Sequence, residues 1–292
     1  RLHHRFVDRE GDPYNVQKGF FHAHMWWFFY KQPPTDMSTI PDLADSKILQ
    51  FQHKYSVLLS LGTNALMCLL IGALMNDFFG ALVLATLGRM FIVHHGTWFI
   101  NSAAHYWGER TYSKELSAVD NFFLALLTFG EGYHNYHHVF ASDYRNGVKW
   151  YHYDPTKWLI WSLNKLGFAE NLVRMDPYTT KKRLIKEDTR LVMEVMKEKF
   201  ASRKEGVERY VNELSAKLNR TMEDVKQLGK EYRLLKRRKA GKPLLNPIKS
   251  TIKDLKKGFR KDWAQWCRVT KTIADPNRKK DKLFKELFAS SA

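Results

Sequence analysis

The chain has 292 residues, 44% of them apolar and 14% aromatic, enough to build a core and too apolar for a disordered protein. Charge is divided by position: residues 1–180 carry 15 basic and 15 acidic side chains, whereas residues 181–292 carry 33 and 15 and so account for the whole net charge of +18. Two cysteines, Cys68 in an apolar run and Cys267 in the basic part, exclude a disulfide scaffold and point to a reducing compartment.

All twelve histidines lie at or before His152. Two chemically different segments therefore meet near residue 180, and the length suits two units. The first element is the pair His3-His4. Next comes an aromatic run, Met25 to Tyr30, followed by Lys31 and Pro33-Pro34. It reads as an interfacial helix that stops at the prolines. Tyr55 to Met75 holds no charge and is long enough to cross a hydrocarbon layer of about 30 Å. Asn76 and Asp77 interrupt it, and Phe78 to Ile100 follows at once, so the two runs predict an antiparallel membrane hairpin. A buried hairpin in a soluble protein is the plainer alternative. Arg89, His94 and His95 sit within the second run, where ionisable groups are costly unless they face protein or water. Arg89 is expected either to pair with another helix or to line a site with the two histidines. The flanks of the hairpin share one side, which the basic tail identifies as cytoplasmic.

Beyond the hairpin stand Asn101 and His105, and then His134-Asn135-Tyr136-His137-His138. On a helix, positions i, i+3 and i+4 share a face, so His134, His137 and His138 present three imidazoles to one point. Imidazole suits iron, zinc, copper or nickel, and six histidines exceed the four ligands of a structural zinc site, which favours two metals. His22, His24, His53 and His152 read as ordinary polar residues. The expected organisation is all-α. Residues 1–54 form a cytoplasmic segment, 55–100 the hairpin, 101–180 a cytoplasmic helical cap and 181–292 a basic helical tail.

Three stretches, HRFVDREGDPYNVQKGFF, TWFINSAAHYWG and GEGYHNYHHVFASDYRNGVKW, occur in order over residues 1–180. They resemble membrane-bound acyl-CoA desaturases of the stearoyl-CoA delta-9 type, and the ending DYRNGVKWYHYDPTKW looks closer to bacterial members than to animal ones. The resemblance implies an O2-dependent enzyme that inserts a cis double bond into a fatty acyl chain. It implies a non-haem centre of two Fe ions held by nine histidines. His3 and His4 would close the second histidine box, His134, His137 and His138 would form the third, and His105 would be the extra ligand. Asn101 would hold a metal-bound water. Thr97 and Trp98 match positions beside the bent acyl chain, and Lys31 a contact to the coenzyme A head group. Glu131 and Asp143 are candidates to orient imidazole N–H groups from behind. Three further ligands and another pair of spans are expected ahead of Arg1, so this polypeptide by itself is not expected to build the full centre. A separate electron donor is implied, a ferredoxin, a rubredoxin or a cytochrome b5-like protein. The implied location is a bacterial inner membrane, or the endoplasmic reticulum in a eukaryote. A hydroxylase or alkane monooxygenase, and an inactive membrane anchor with a lipid-binding tail, are the alternatives.

In the tail, Ser202 to Glu205 has the form of a capping box ahead of Val207, Tyr210, Val211, Leu214 and Leu218 at 3–4 spacing. Gly241 and Pro243 break the chain. Ile252, Leu255, Phe259, Trp263 and Trp266 then continue the spacing among lysines and arginines, a basic amphipathic helix. Docking on anionic lipid with the tryptophans at the interface is the leading expectation. Packing between tail helices comes second. Nucleic-acid binding comes last, because no recognition module is evident.

Overall fold

The computed structural model describes residues 1–31, 36–200, 204–275 and 280. They form two units, Arg1–Arg174 and the chain from Met175 onward. Among the described residues there are no strands, only the isolated antiparallel bridges Glu109–Asp120 and Asp120–Tyr133.

In hydrocarbon a backbone must satisfy its own amides, which favours helices for the two uncharged runs. They form α3 (Ser56–Met75) and α4 (Phe78–His105), preceded by α1 (Leu2–Phe6) and α2 (Phe20–His24). Asn76 turns the chain at φ 50°, and Asp77 accepts the Gly80 amide at 2.8 Å to start α4. Both helices are long and apolar enough to cross a membrane. Leu74 is 83% exposed, Phe79 77% and Leu84 74%, so among the described residues these faces have no protein against them, unlike the core hairpin of a soluble protein. Arg89 donates to Asn64 of α3 and, at 3.2 Å, to its own Ala85 carbonyl, so it pairs with the neighbouring helix. Residues Ala81–Gly88, just before it, are wound as a π helix. The second span continues past Ile100, so His105 sits in its final 3-10 turn, Ala103–His105, not beyond its end.

The aromatic run is less regular than its sequence suggests. Trp26–Phe29 is one 3-10 turn with Trp26, Phe28 and Phe29 exposed, while Pro33 and Pro34 lie outside the described residues.

From Met175 the chain forms a bundle of α5 (Pro177–Lys199), α6 (Lys204–Arg237) and α7 (Lys242–Ala274). Ser202 of the capping-box pattern lies outside the described residues. Pro177 opens α5 at a position where its missing N–H costs nothing. The turn before α7 places Lys239 at φ 57° ahead of Gly241. Lys182 of α5 pairs with Glu223 of α6, and Lys217 of α6 with Asp262 of α7, across the contacts between successive helices. Their apolar stripes meet in one core of Ile185, Val192, Met196, Val211, Leu218 and Trp266. The expected placement of the tail's aromatic stripe at a lipid interface is thereby corrected. Phe259 and Trp266 do not face lipid; both are buried between helices, and the Trp266 indole donates to Asp188 at 2.9 Å. Trp263 packs partly buried under the Lys181 ammonium, 4.1 Å from its ring centre. The orientation of these aromatics was misread because a packing stripe and a lipid-facing stripe share the same spacing.

Trp266→Ala is expected to destabilise the bundle by about 3–5 kcal/mol, the cost of an aromatic cavity. Thermal unfolding of the full chain, followed by circular dichroism, measures it. Trp263→Ala should cost clearly less.

Candidate metal centre

The third histidine group is positioned by a turn that only glycine accommodates. Gly130 has φ 107°, and a Cβ on Gly132 would lie 2.1 Å from the Ala125 nitrogen. After this turn α8 (His134–Val139) begins. Its two non-histidine residues anchor it. Asn135 is fully buried, accepts the Tyr112 and Ser113 amides at 2.6 and 3.0 Å, and donates to the Ser113 and Ala118 carbonyls at 2.9 and 2.8 Å. All four of its hydrogen bonds are made. Tyr136 is buried and donates to Asp143 at 2.8 Å. The Val119 amide donates to the Ala104 carbonyl at 2.8 Å and the Val119 carbonyl accepts the His134 amide at 3.2 Å, which ties α8 to the end of α4.

These anchors leave the histidines turned to one point. Nε2 of His3 lies 3.1 Å from Nε2 of His138, which lies 3.0 Å from Nε2 of His134, which lies 3.1 Å from Nε2 of His105. The ligand atoms of these four all fall within 4.8 Å of one another. Nε2 of His4 and of His137 meet at 3.1 Å as a separate pair.

Two of the four rings have their tautomers fixed from behind. Nδ1 of His3 faces both oxygens of buried Asp12, at 3.0 and 3.1 Å, and a carboxylate only accepts, so Nδ1 carries a proton and the neutral ring, the form that can ligate a metal, presents Nε2 as a bare lone pair. Nδ1 of His105 meets the Ser117 hydroxyl at 2.5 Å, and that hydroxyl donates to Asp8. The Ser117 oxygen therefore accepts from Nδ1–H of His105, and again Nε2 is bare. Three N···N contacts remain, served by at most one proton each from His134 and His138. Two protons cannot satisfy three contacts. A cation removes the conflict, because lone pairs facing it need no proton, and donors about 3 Å apart suit bonds of about 2.0–2.1 Å. The donor set thus fits a metal ion.

Burial, followed by the neighbouring imidazoles, holds His138 and His134 far below the usual histidine range. Partial burial of its ring, then His137, pushes His4 down to about 4. All three are neutral at pH 7, as metal ligation requires.

The other candidate residues are scattered by comparison. Asn101 lies half-buried one turn before His105, and among the described residues no hydrogen bond joins it to the imidazoles. Thr97 bonds its own helix at the Val93 carbonyl, 2.9 Å away. Trp98 packs edge-on against His95 with ring centres 5.1 Å apart, and Lys31 is exposed. The carboxylates behind the rings are Asp12 and Asp8. Of the two residues considered for that place, Glu131 accepts from Asn146 at 2.7 Å, and Asp143 is gripped by Arg145 at 2.7 and 2.9 Å. The missed signal is the acidic spacing after His3-His4, where Asp8 stands at φ 61° and turns the chain back. His24 also does more than an ordinary polar residue: its Nδ1 meets Ser102 at 2.9 Å and its Nε2 meets His95 at 3.0 Å. The polar half of α4 is therefore split, His95 facing His24 while His94 is exposed and bonds the Met90 carbonyl at 2.6 Å.

A family model for fatty acid desaturases matches residues 1–171, which hold every histidine of the centre. The chain is 38% identical to acyl-CoA desaturase 1 of Saccharomyces cerevisiae over 195 residues, 66% of this chain and 38% of that protein. It is 34% identical to the sn-2 palmitoyl-lipid 9-desaturase of a Nostoc species over 183 residues, 61% of this chain and 62% of that protein. Against stearoyl-CoA desaturase 5 of Bos taurus the identity is 32% over 185 residues, 60% of this chain and 54% of that protein. The chain spans between 38% and 62% of the length of these relatives. With more than half of its residues under the family model and four imidazoles converging on one point, the chain belongs to the fatty acid desaturase family.

Proposed function

We propose that the protein carrying this chain is an oxygen-dependent acyl-CoA desaturase that inserts a cis double bond, delta-9 by family analogy, into a saturated acyl chain. The observation that carries the reading is the shortage of protons among His3, His138, His134 and His105. These four would hold one iron, and His4 and His137 would contribute to a second, with Asn101 holding a water beside it. Bound iron supplies the activation of dioxygen that no side chain can provide.

The work of the protein's own residues is positional. Asp12 turns the Nε2 lone pair of His3 inward and raises its basicity, and the Asp8–Ser117 pair does the same for His105. Burial keeps the His134 and His138 rings neutral. Thr97 and Trp98, on the last turns of α4, would shape the acyl path, and Lys31 would meet a phosphate of coenzyme A. The hairpin would sit in the bilayer with both flanks on the cytoplasmic side, where a separate ferredoxin, rubredoxin or cytochrome b5-like donor delivers electrons.

The whole protein, fed saturated acyl-CoA with oxygen and reductant, should yield a mono-unsaturated product and bind about two irons per chain. A hydroxylated product without alkene identifies a hydroxylase, and an iron-free protein identifies a membrane anchor. Asp12→Asn and Asp8→Asn should each weaken iron binding by about 10–100-fold in competition with a chelator. Glu131→Gln should leave iron binding within about twofold, the range expected of a residue outside the ligands' partners.

The metal-free protein should lose stability as pH falls. The unfolded chain takes up protons near pH 6.5, whereas folded His4 does so only near 4 and His134 and His138 lower still. Between these values the unfolded state binds more protons and is favoured. Melting temperatures of metal-free protein should therefore drop from pH 6.5 towards 4, and Asp12→Asn should not abolish the drop.

A further inference from the structure

The first turn of α5, the C-terminal half of α6 and the N-terminal half of α7 line a half-open cavity of about 530 Å3. Its apolar floor is formed by Tyr178, Val225 and Ile252. Its walls carry five exposed cations, Lys226, Lys230, Arg233, Lys249 and Lys256, against one carboxylate, Asp176. Among the described residues none of the five cations is held in an ion pair. A second cavity of about 370 Å3 adjoins it, sharing Lys230 and Arg233 and adding Arg237 and Glu231.

Gly229 borders the larger cavity from within a helix of 34 residues. An interior glycine costs a helix about 1 kcal/mol relative to alanine. Packing does not demand it here, since a Cβ at 229 would meet only the Arg233 guanidinium, 4.0 Å away. What a larger side chain would take is the space of the cavity.

We propose that this cavity binds the headgroup of an anionic phospholipid. The five cations receive its phosphate by charge-assisted hydrogen bonds, and the floor receives the glycerol and first methylenes. Cations set around an apolar floor suit an amphiphile better than a free polyanion, which would be drawn to the whole basic surface. The same chain carries two membrane-spanning candidates, so bilayer headgroups stand at high local concentration. The proposal is independent of the desaturase reading and adds to it.

The test uses the full chain in a neutral detergent, with dioctanoyl phosphatidylglycerol, dioctanoyl phosphatidylcholine or inorganic phosphate added and adducts counted by native mass spectrometry. Phosphatidylglycerol should bind and the other two should not compete with it. The triple variant Lys230→Gln/Arg233→Gln/Lys249→Gln should lose at least about tenfold in affinity. Lys186→Gln/Lys197→Gln/Lys257→Gln removes equal charge elsewhere on the bundle and should stay within about twofold. Gly229→Leu fills the cavity while strengthening the helix, so it should lose binding with an undiminished melting temperature. Equal losses in the two triple variants, full binding by Gly229→Leu, or displacement of the lipid by inorganic phosphate would each overturn the proposal.

Discussion

The first unit depends on two hydrogen bonds that point away from its centre. Asp12 behind His3, and Ser117 with Asp8 behind His105, hold protons on the outer ring nitrogens and so bare the inner ones. Remove those acceptors and either ring can reverse its tautomer, after which the N···N contacts can be satisfied by ordinary hydrogen bonds and nothing about the cluster asks for an ion. The suitability of the cluster for a metal therefore rests on the carboxylates behind the rings as well as on the imidazoles.

That arrangement constrains the rest of the unit. The four rings come from α1, from the end of α4 and from α8, far apart in sequence, so their spacing is only as good as the backbone joining them. The Ala104–Val119–His134 hydrogen bonds and the saturated Asn135 amide provide that rigidity, and Ala103 and Ala104 beside His105 are buried. The hairpin contributes by ending at the right place: running α4 through to His105 puts one of the four converging imidazoles on the last turn of a long apolar helix.

The hairpin and the histidine faces were legible because each rests on a local rule, an uncharged run of membrane length and an i, i+3, i+4 pattern. The partners of the rings were not. Asp12 and Asp8 were passed over for Glu131 and Asp143, which stand nearer the third histidine group in sequence, and nothing local says that a left-handed Asp8 will fold the acidic turn back under His3. The role of Asn135 was hidden for a related reason: between histidines on a short helix it reads as filler, and its four bonds reach residues 17 to 23 positions earlier. The division of Arg89 from His95 was equally out of reach, since helical spacing does not say which face meets Asn64.

The tail shows the limit of periodicity most plainly. A stripe at 3–4 spacing says that one face of a helix avoids water; it does not say whether lipid or protein covers that face. What decides here is that three long helices in the same segment each carry such a stripe, so each apolar face finds its cover on a neighbouring helix. Once Phe259 and Trp266 are buried against Ile185, Val192 and Val211, the lysines and arginines of all three helices are left outside with too few carboxylates to pair with. Packing the apolar faces together therefore concentrates positive charge on the surface of the bundle. An attraction for anionic partners then follows from the fold itself, carried by the cations around the cavity and not by the tryptophans that first suggested it.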